Sequence, residues 1–434
     1  MSEYGTKDLK RISIETRTLA LADQYIHDNQ LALTNSMDFY TLANLVRHLD
    51  EIETEIHSLS MYRMDLDWNY SSEIIAILPR FTEVILDDCH GTHLDTMLSS
   101  ILQAGIGIQR LRLFSQLVDV QMDTSLRDGL IQSNLCNLFL TIELSKSTAE
   151  CLFTGLNQSL VKELILDQCE IYLDAVEVIG NCLSANQCLE TLKVENCGLR
   201  DDEVALLMRA VKHHPTLVDL SMRTNYMYNE GMEATVELVQ CTPRLAKLDL
   251  GRQNPGVLNL AKLAQALREN HTLTHLNMEE NFLKDAHMGA LIEALLVNTT
   301  LRQVNLRNCE LKDASLMQLA AAWNDFPGLT HLDLRENHFR RPPDPQHLSQ
   351  SLQHNHVLQV IELDDPDWIS MPLKFHLVLN QAGRRYLSEE TIPLSLWPLI
   401  LERVKRLFDL KKEYHFGEND ILFELLNGPA LLQR

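Results

Sequence analysis

The 434-residue chain lacks several features, and each absence excludes a class of protein. No stretch reaches the ~18 consecutive apolar residues of a membrane span. The N-terminal residues lack the apolar core of a secretory leader. Cationic charge is scarce: 38 Lys and Arg stand against 60 Asp and Glu, a formal net charge of −22. Such a chain is repelled by nucleic-acid phosphate and by anionic lipid, so neither nucleic acid nor a membrane is expected as a partner. Nine cysteines form no short CxxC pair, which points to reduced thiols in the cytoplasm or nucleus. Without a leader, the sequons at Asn69, Asn157, Asn270 and Asn298 read as coincidental.

Catalytic signatures are missing too. Gly105-Ile106-Gly107 has no third glycine in place and precedes a strand pattern, so it is no dinucleotide loop. There is no GxxxxGK[ST], HExxH or GxSxG. Of the 17 histidines, His213, His214, His271, His275, His354 and His356 fall at turns or near strand starts and read as solvent-facing polar residues. The run Glu362 to Trp368 lacks the order and glycine of a calcium loop and reads as a solvated acidic rim. No enzyme activity, cofactor or metal site is expected.

What the sequence has in abundance is self-similarity. Leu273-Thr-His-Leu276-Asn-Met278-Glu-Glu-Asn281-Phe-Leu283 fits LxxLxLxxNxL, and the units starting at Leu301 and Leu329 fit it as well. The first motif position also falls on Ile56, Phe81, Ile108, Leu135, Val161, Leu189, Leu217, Leu245 and Leu358. From Val161 to Leu329 the spacing is 28 residues at every step. A degenerate unit precedes Ile56, with Asp28 in the first position and Leu31 and Leu33 in the fourth and sixth. Within each unit LxLxx alternates with period two, predicting a short strand with leucines inward. The second half turns helical, as in Asp202–Val211, Leu258–Leu267 and Met288–Leu296. One such unit cannot bury its apolar face, whereas a stack forms a continuous core. A helix is wider than the strand spacing, so the stack is expected to curve with its sheet concave.

This pattern resembles the leucine-rich repeat superfamily, in its long ribonuclease-inhibitor-like class, over residues 28–370. The resemblance implies an α/β solenoid: a curved horseshoe with a concave parallel sheet and outer helices, usually binding proteins through the concave face or a rim. The expected organisation is an N-terminal cap at 1–27, a solenoid of about 12–13 repeats at 28–370, and a small helical cap or docking element at 371–434. In that tail, the order LNxxGRxxL, PLSLWPxxLERV and LFELLxxGPALL resembles a C-terminal box of diatom and related algal proteins, several of which carry leucine-rich repeats. Helices are expected after Pro398 and from Asn419 or Asp420.

The ninth motif position holds Asn225, Asn281 and Asn337 but also Cys89, Cys169, Cys197 and Cys309. These side chains are expected to turn inward onto loop backbone rather than to bind metal. The fifth and seventh positions point out of the concave sheet, with the eighth at its rim. They display an apolar stripe, Tyr62, Ile85, Phe114, Phe139 and Ile165, in the N-terminal half. The C-terminal half alternates acids, among them Glu195, Glu279 and Asp364, with Arg223, Arg252, Arg307 and Arg335. Exposed aromatics and arginines favour protein interfaces.

The function expected is a monomeric, non-catalytic scaffold for a protein partner. Two alternatives stand. One is a GTPase regulator, since the GTPase-activating protein for Ran is an acidic solenoid of this class and Arg63, Arg110, Arg112 and Arg252 lie at rim or face. The other is an adaptor whose tail docks a ubiquitin-ligase-type complex. Residues 1–370 carry 52 acids and 29 bases, net −23, while 371–434 carry 8 and 9, net +1. The partner is therefore expected to present a basic surface.

Overall fold

A computed structural model describes residues 56–66, 68–90, 94–103, 107–114, 124–253, 260–340, 352, 354–369 and 371–383. It also describes 26–27, 30–34 and the isolated positions 46, 399, 402, 403 and 406. The cap expected at 1–27 thus lies almost wholly outside the described residues, as do the helices expected after Pro398 and Asn419. The chain forms two compact units, Met1–Asn225 and Tyr226–Arg434.

In the first unit the strands are β1 (Ile26–His27), β2 (Gln30–Thr34), β3 (Ser58–Tyr62), β4 (Glu83–Asp87), β5 (Arg110–Phe114), β6 (Asn137–Thr141), β7 (Glu143–Leu144), β8 (Glu163–Asp167), β9 (Glu170–Ile171), β10 (Thr191–Glu195) and β11 (Asp219–Ser221). From β2 to β11 they pair in parallel, save that β7 and β9 pair with each other in a separate small sheet. The register aligns the fourth motif positions, Leu59 with Val84, then Leu111, Leu138, Leu164, Leu192 and Leu220. The degenerate unit supplies β2, whose Leu31 and Leu33 pair with Leu59 and Met61 and are fully buried. Antiparallel β1 folds back onto its outer edge.

The second unit holds β12 (Lys247–Asp249), β13 (His275–Asn277), β14 (Gln303–Asn305), β15 (His331–Asp333) and β16 (Val360–Glu362), also parallel. Among the described residues, a helix follows the repeat strands β3 to β6, β8, β10 to β14 and β16 and buries an apolar stripe. Asp201–Val211 buries Val204, Leu207, Met208 and Val211; Met288–Leu295 buries Met288, Leu291, Ile292 and Leu295. The last described helix, Met371–Ala382, closes the repeat of β16: Asn380 and Gln381 donate to the carbonyls of Leu358 and Gln359, each at 2.7 Å.

In β12 to β15 strand length follows the fifth motif position. In β12, β13, β14 and β15 that position is Asp249, Asn277, Asn305 and Asp333, whose side-chain oxygens accept from the seventh-position backbone N–H at 2.8–3.0 Å. This Asx turn withdraws that N–H from the ladder, and the strands stop at three residues. Ile85, Arg112, Phe139, Ile165 and Lys193 cannot do this, and their strands run for five residues.

Two ladders join successive repeats. The ninth-position side chain donates to the sixth-position carbonyl of the repeat before it. The amides of Asn225, Asn281 and Asn337 do so at 2.8 Å, and the thiols of Cys89, Cys169, Cys197 and Cys309 at 3.2–3.6 Å. The second ladder lies three residues ahead of the first position in the repeats of Leu273, Leu301 and Leu358. Asn270, Asn298 and Asn355 accept there from two following backbone N–H groups and donate to carbonyls one repeat back. Asn298 and Asn270 are buried in this role, and Asn157 donates to the Cys182 carbonyl at 2.9 Å. Glycosylation attaches sugar to that same amide nitrogen, so these three sequons are structural.

His214 occupies the same position in its repeat. The expectation of a solvent-facing histidine fails there: His214 is buried, and neither ring nitrogen finds a hydrogen-bond partner. An imidazole cannot reproduce the asparagine's paired acceptor and donors, yet the closure of the repeat still encloses it.

Candidate binding face

Because strand side chains alternate, burying the fourth and sixth positions turns the third, fifth and seventh onto the helix-free face. The third-position row, Glu83, Arg110, Asn137 and Glu163 on β4, β5, β6 and β8, shares the face. Period-two counting outward from the first strand leucine, rather than between the two, is the signal that finds it.

In the first unit the apolar residues do not form one uninterrupted stripe. Phe139 and Ile165 are neighbours in register, and the Phe114 ring packs on Phe139 with centroids 5.0 Å apart. These three form the patch. Arg112 stands between Ile85 and Phe139, and Asp87 between Tyr62 and Phe114. Tyr62 lies apart at 42% exposure, with the Arg63 guanidinium 5.0 Å from its ring centroid.

A cavity of about 250 Å³ opens beside the patch, lined by Arg110, Leu111, Arg112, Asn137, Leu138, Phe139, Glu163 and Ile165. Arg112 Nε lies 3.1 Å from Glu83 Oε1, and Asn137 Nδ2 donates to Glu163 Oε2. Arg110 is exposed and, among the described residues, its guanidinium meets no carboxylate. Further along, Glu195 and Arg223 are half-buried at their seventh positions, and burial raises the Asp167 carboxyl above the usual carboxylate range.

The second unit's face is already paired. Arg252 reaches Glu280 at 2.6 Å. Arg307 bonds Glu336 and lies 3.9 Å from Glu279. Arg335 holds Asp333 and Glu362, each at 2.6 Å. Those carboxylates raise the Arg307 and Arg335 guanidinium pKa values above their ordinary level, with Glu336 and Asp333 respectively the main cause. Asp364 accepts from the Glu336 backbone N–H at 2.8 and 2.9 Å. The eighth position sets this edge. Arg63, Asp88, Gln168, Asn196, Thr224, Arg252, Glu280, Asn308 and Glu336 all adopt φ of 51–58°. The strain of left-handed backbone in residues with a Cβ is held by bonds such as Arg252 N–H to Glu279 O at 2.8 Å. Of the four arginines that a GTPase contact would draw on, Arg63, Arg112 and Arg252 are engaged within the chain.

Among the described residues, no three His, Cys, Asp or Glu side chains gather as a metal site requires. No helix among them is long and apolar enough to cross a membrane.

Among the described residues, parallel strands recurring at a spacing of about 28 residues, most of them followed by a helix and seven of them locked through an Asn or Cys at the ninth position, define an α/β leucine-rich repeat solenoid. The chain is similar to the leucine-rich repeat proteins of the ribonuclease-inhibitor-like class. The family described as Leucine Rich repeat matches residues 297–320. Bovine (Bos taurus) NACHT, LRR and PYD domains-containing protein 5 is 29% identical over 133 residues, covering 30% of this chain and 12% of that protein. The ribonuclease inhibitor of Mus musculus is 29% identical over 126 residues, 29% of this chain and 28% of its own length. The chain therefore spans under a third of either relative. A chain of the yeast Rad7 and Elc1 complex is structurally similar, with a TM-score of 0.39 and 15% identity, covering 83% of this chain and 90% of that one.

Proposed function

We propose that this protein is a non-catalytic scaffold whose protein partner docks on the helix-free face of the first unit. The observation that carries this reading is the contiguous patch of Phe114, Phe139 and Ile165 on a strand face beside an arginine-lined cavity. Aromatic side chains flanked by arginine are what interface hot spots are made of. Ile85 and Tyr62 extend the surface across the intervening charges. Glu195 and Arg223 border it. Arg252, Glu279, Arg307, Arg335 and Asp364 form a second, polar region whose charges are satisfied internally. Exposed ion pairs of that kind contribute little affinity of their own. The net charge of −22 favours a partner with a basic surface, steered by long-range attraction.

The reading is tested by affinity purification of the wild-type chain, a Phe139→Asp/Ile165→Asp variant and an outer-helix control, Arg268→Glu. Proteins recovered by the wild type and the control are expected to be lost by the face variant. Equal recovery by all three overturns it.

A further inference from the structure

The partner's anchor can be described more closely, given the reading that the first unit's helix-free face is the docking surface. We propose that the anchor is an acidic segment: a carboxylate received by Arg110, next to an apolar side chain seated on Phe139 and Ile165.

Size narrows the occupant first. Small-molecule pockets span roughly 300–1,000 Å³ and enclose most of their ligand. This cavity is about 250 Å³ and opens onto a strand face, so it accommodates one protruding side chain. Its floor is apolar, and filling it requires an apolar group. A bare inorganic anion would leave Phe139 and Ile165 wet.

Charge narrows it next. The lining holds two arginines against one glutamate, within a chain of net charge −22. Two of these charges are committed: Arg112 to Glu83 at 3.1 Å, and Glu163 to the Asn137 amide. Glu83 is the register neighbour of Arg110 but turns to Arg112 instead. Among the described residues Arg110 is left as an exposed cation beside an apolar floor, and a guanidinium there donates bidentately to a carboxylate at low cost in order. A lysine-bearing anchor would have to approach both guanidinium groups. The acidic field of the whole chain and this cationic spot thus act at different ranges. The field draws a basic partner in, and the spot fixes where one acidic segment of it lands.

The test is selection of random dodecapeptides displayed on phage against the immobilised full-length chain, followed by fluorescence polarisation of labelled synthetic peptides. Enriched sequences are expected to place Asp or Glu within about two positions of Phe, Leu, Ile or Met. Their affinity is expected to fall at least about tenfold on Arg110→Glu and on Phe139→Asp. Arg110→Gln is expected to weaken them less, and lysine-for-acid peptides are expected to recover on Arg110→Glu. Circular dichroism confirms that each variant is folded. Peptides that need Phe139 but carry no acid, or that bind Arg110→Glu undiminished, overturn the acidic anchor and leave the docking face standing. Peptides indifferent to both substitutions, or no enrichment over an Arg110→Glu/Phe139→Asp/Ile165→Asp variant, overturn both.

Discussion

A cysteine and an asparagine do the same work at the ninth position with different chemistry. Both donate to the carbonyl one repeat back, the amide at 2.8 Å and the thiol at 3.2–3.6 Å. Burial pushes the Cys89 thiol up to about 11 and Cys309 to about 12, so both stay protonated and keep donating. His214 is the opposite case, a titratable ring enclosed where an asparagine fits. Burial lowers its pKa below the ordinary 6.5, and that of His331 likewise. The unfolded chain therefore binds more protons than the folded one once pH falls below about 6.5, and stability declines from there downward. His214→Asn restores the amide of the ladder. It is expected to stabilise the protein by about 1–2 kcal/mol at pH 7 and to flatten the loss between pH 7.5 and 5.5, read from urea midpoints. An unchanged pH slope in this variant would contradict that account.

At the scale of elements, the motif spacing alone makes the strand, turn and helix of each repeat legible. Strand length in β12 to β15 is legible as well, from the Asx turn of the Asp or Asn at the fifth position; Ser60, whose strand runs for five residues, and Glu362, whose strand stops at three, fall outside that rule. The pairing of Arg307 with Glu336 is not legible, because it depends on the left-handed eighth position bringing side chains from successive repeats together. Close joints between elements separate two glycines that look alike in sequence. A Cβ on Gly328 would lie 2.8 Å from the Asn298 carbonyl oxygen and 3.0 Å from that of Leu301, both backbone atoms. A Cβ on Gly289, in the helix Met288–Leu295, meets nothing within 4 Å. Gly328→Ala is expected to cost about 1–3 kcal/mol, and Gly289→Ala to add about 0.5–1 kcal/mol through helix propensity. Thermal melts of the two variants check both signs, and a neutral Gly328→Ala would refute the steric argument.

For the whole molecule, repeats that contact only their neighbours make stability a sum of local terms. Excising residues 273–300, one full period of the second unit, removes a strand and its helix and joins equivalent positions. This deletion is expected to leave a cooperative unfolding transition, with helical signal reduced in proportion. Excising 273–286 alone breaks the register and is expected to abolish that transition. Charge is also organised at this scale. Residues 1–225 carry 33 acids and 17 bases, net −16, and 226–434 carry 27 and 21, net −6. The acidic field is strongest on the unit that holds the apolar patch and the cationic cavity.

Periodicity alone determined the class of this protein. A 28-residue recurrence of leucines admits one economical burial scheme, stacked strand–helix units, and that scheme dictates which positions face the core. Tertiary structure decided which surface residues are free to act. Arginines on the same helix-free strand faces differ in whether a neighbouring repeat supplies a carboxylate at bonding distance. That depends on side-chain reach across the register, which a one-dimensional pattern does not contain. Among the described residues Arg307 and Arg335 are thereby committed and Arg110 is not, and a turn histidine lies in the interior.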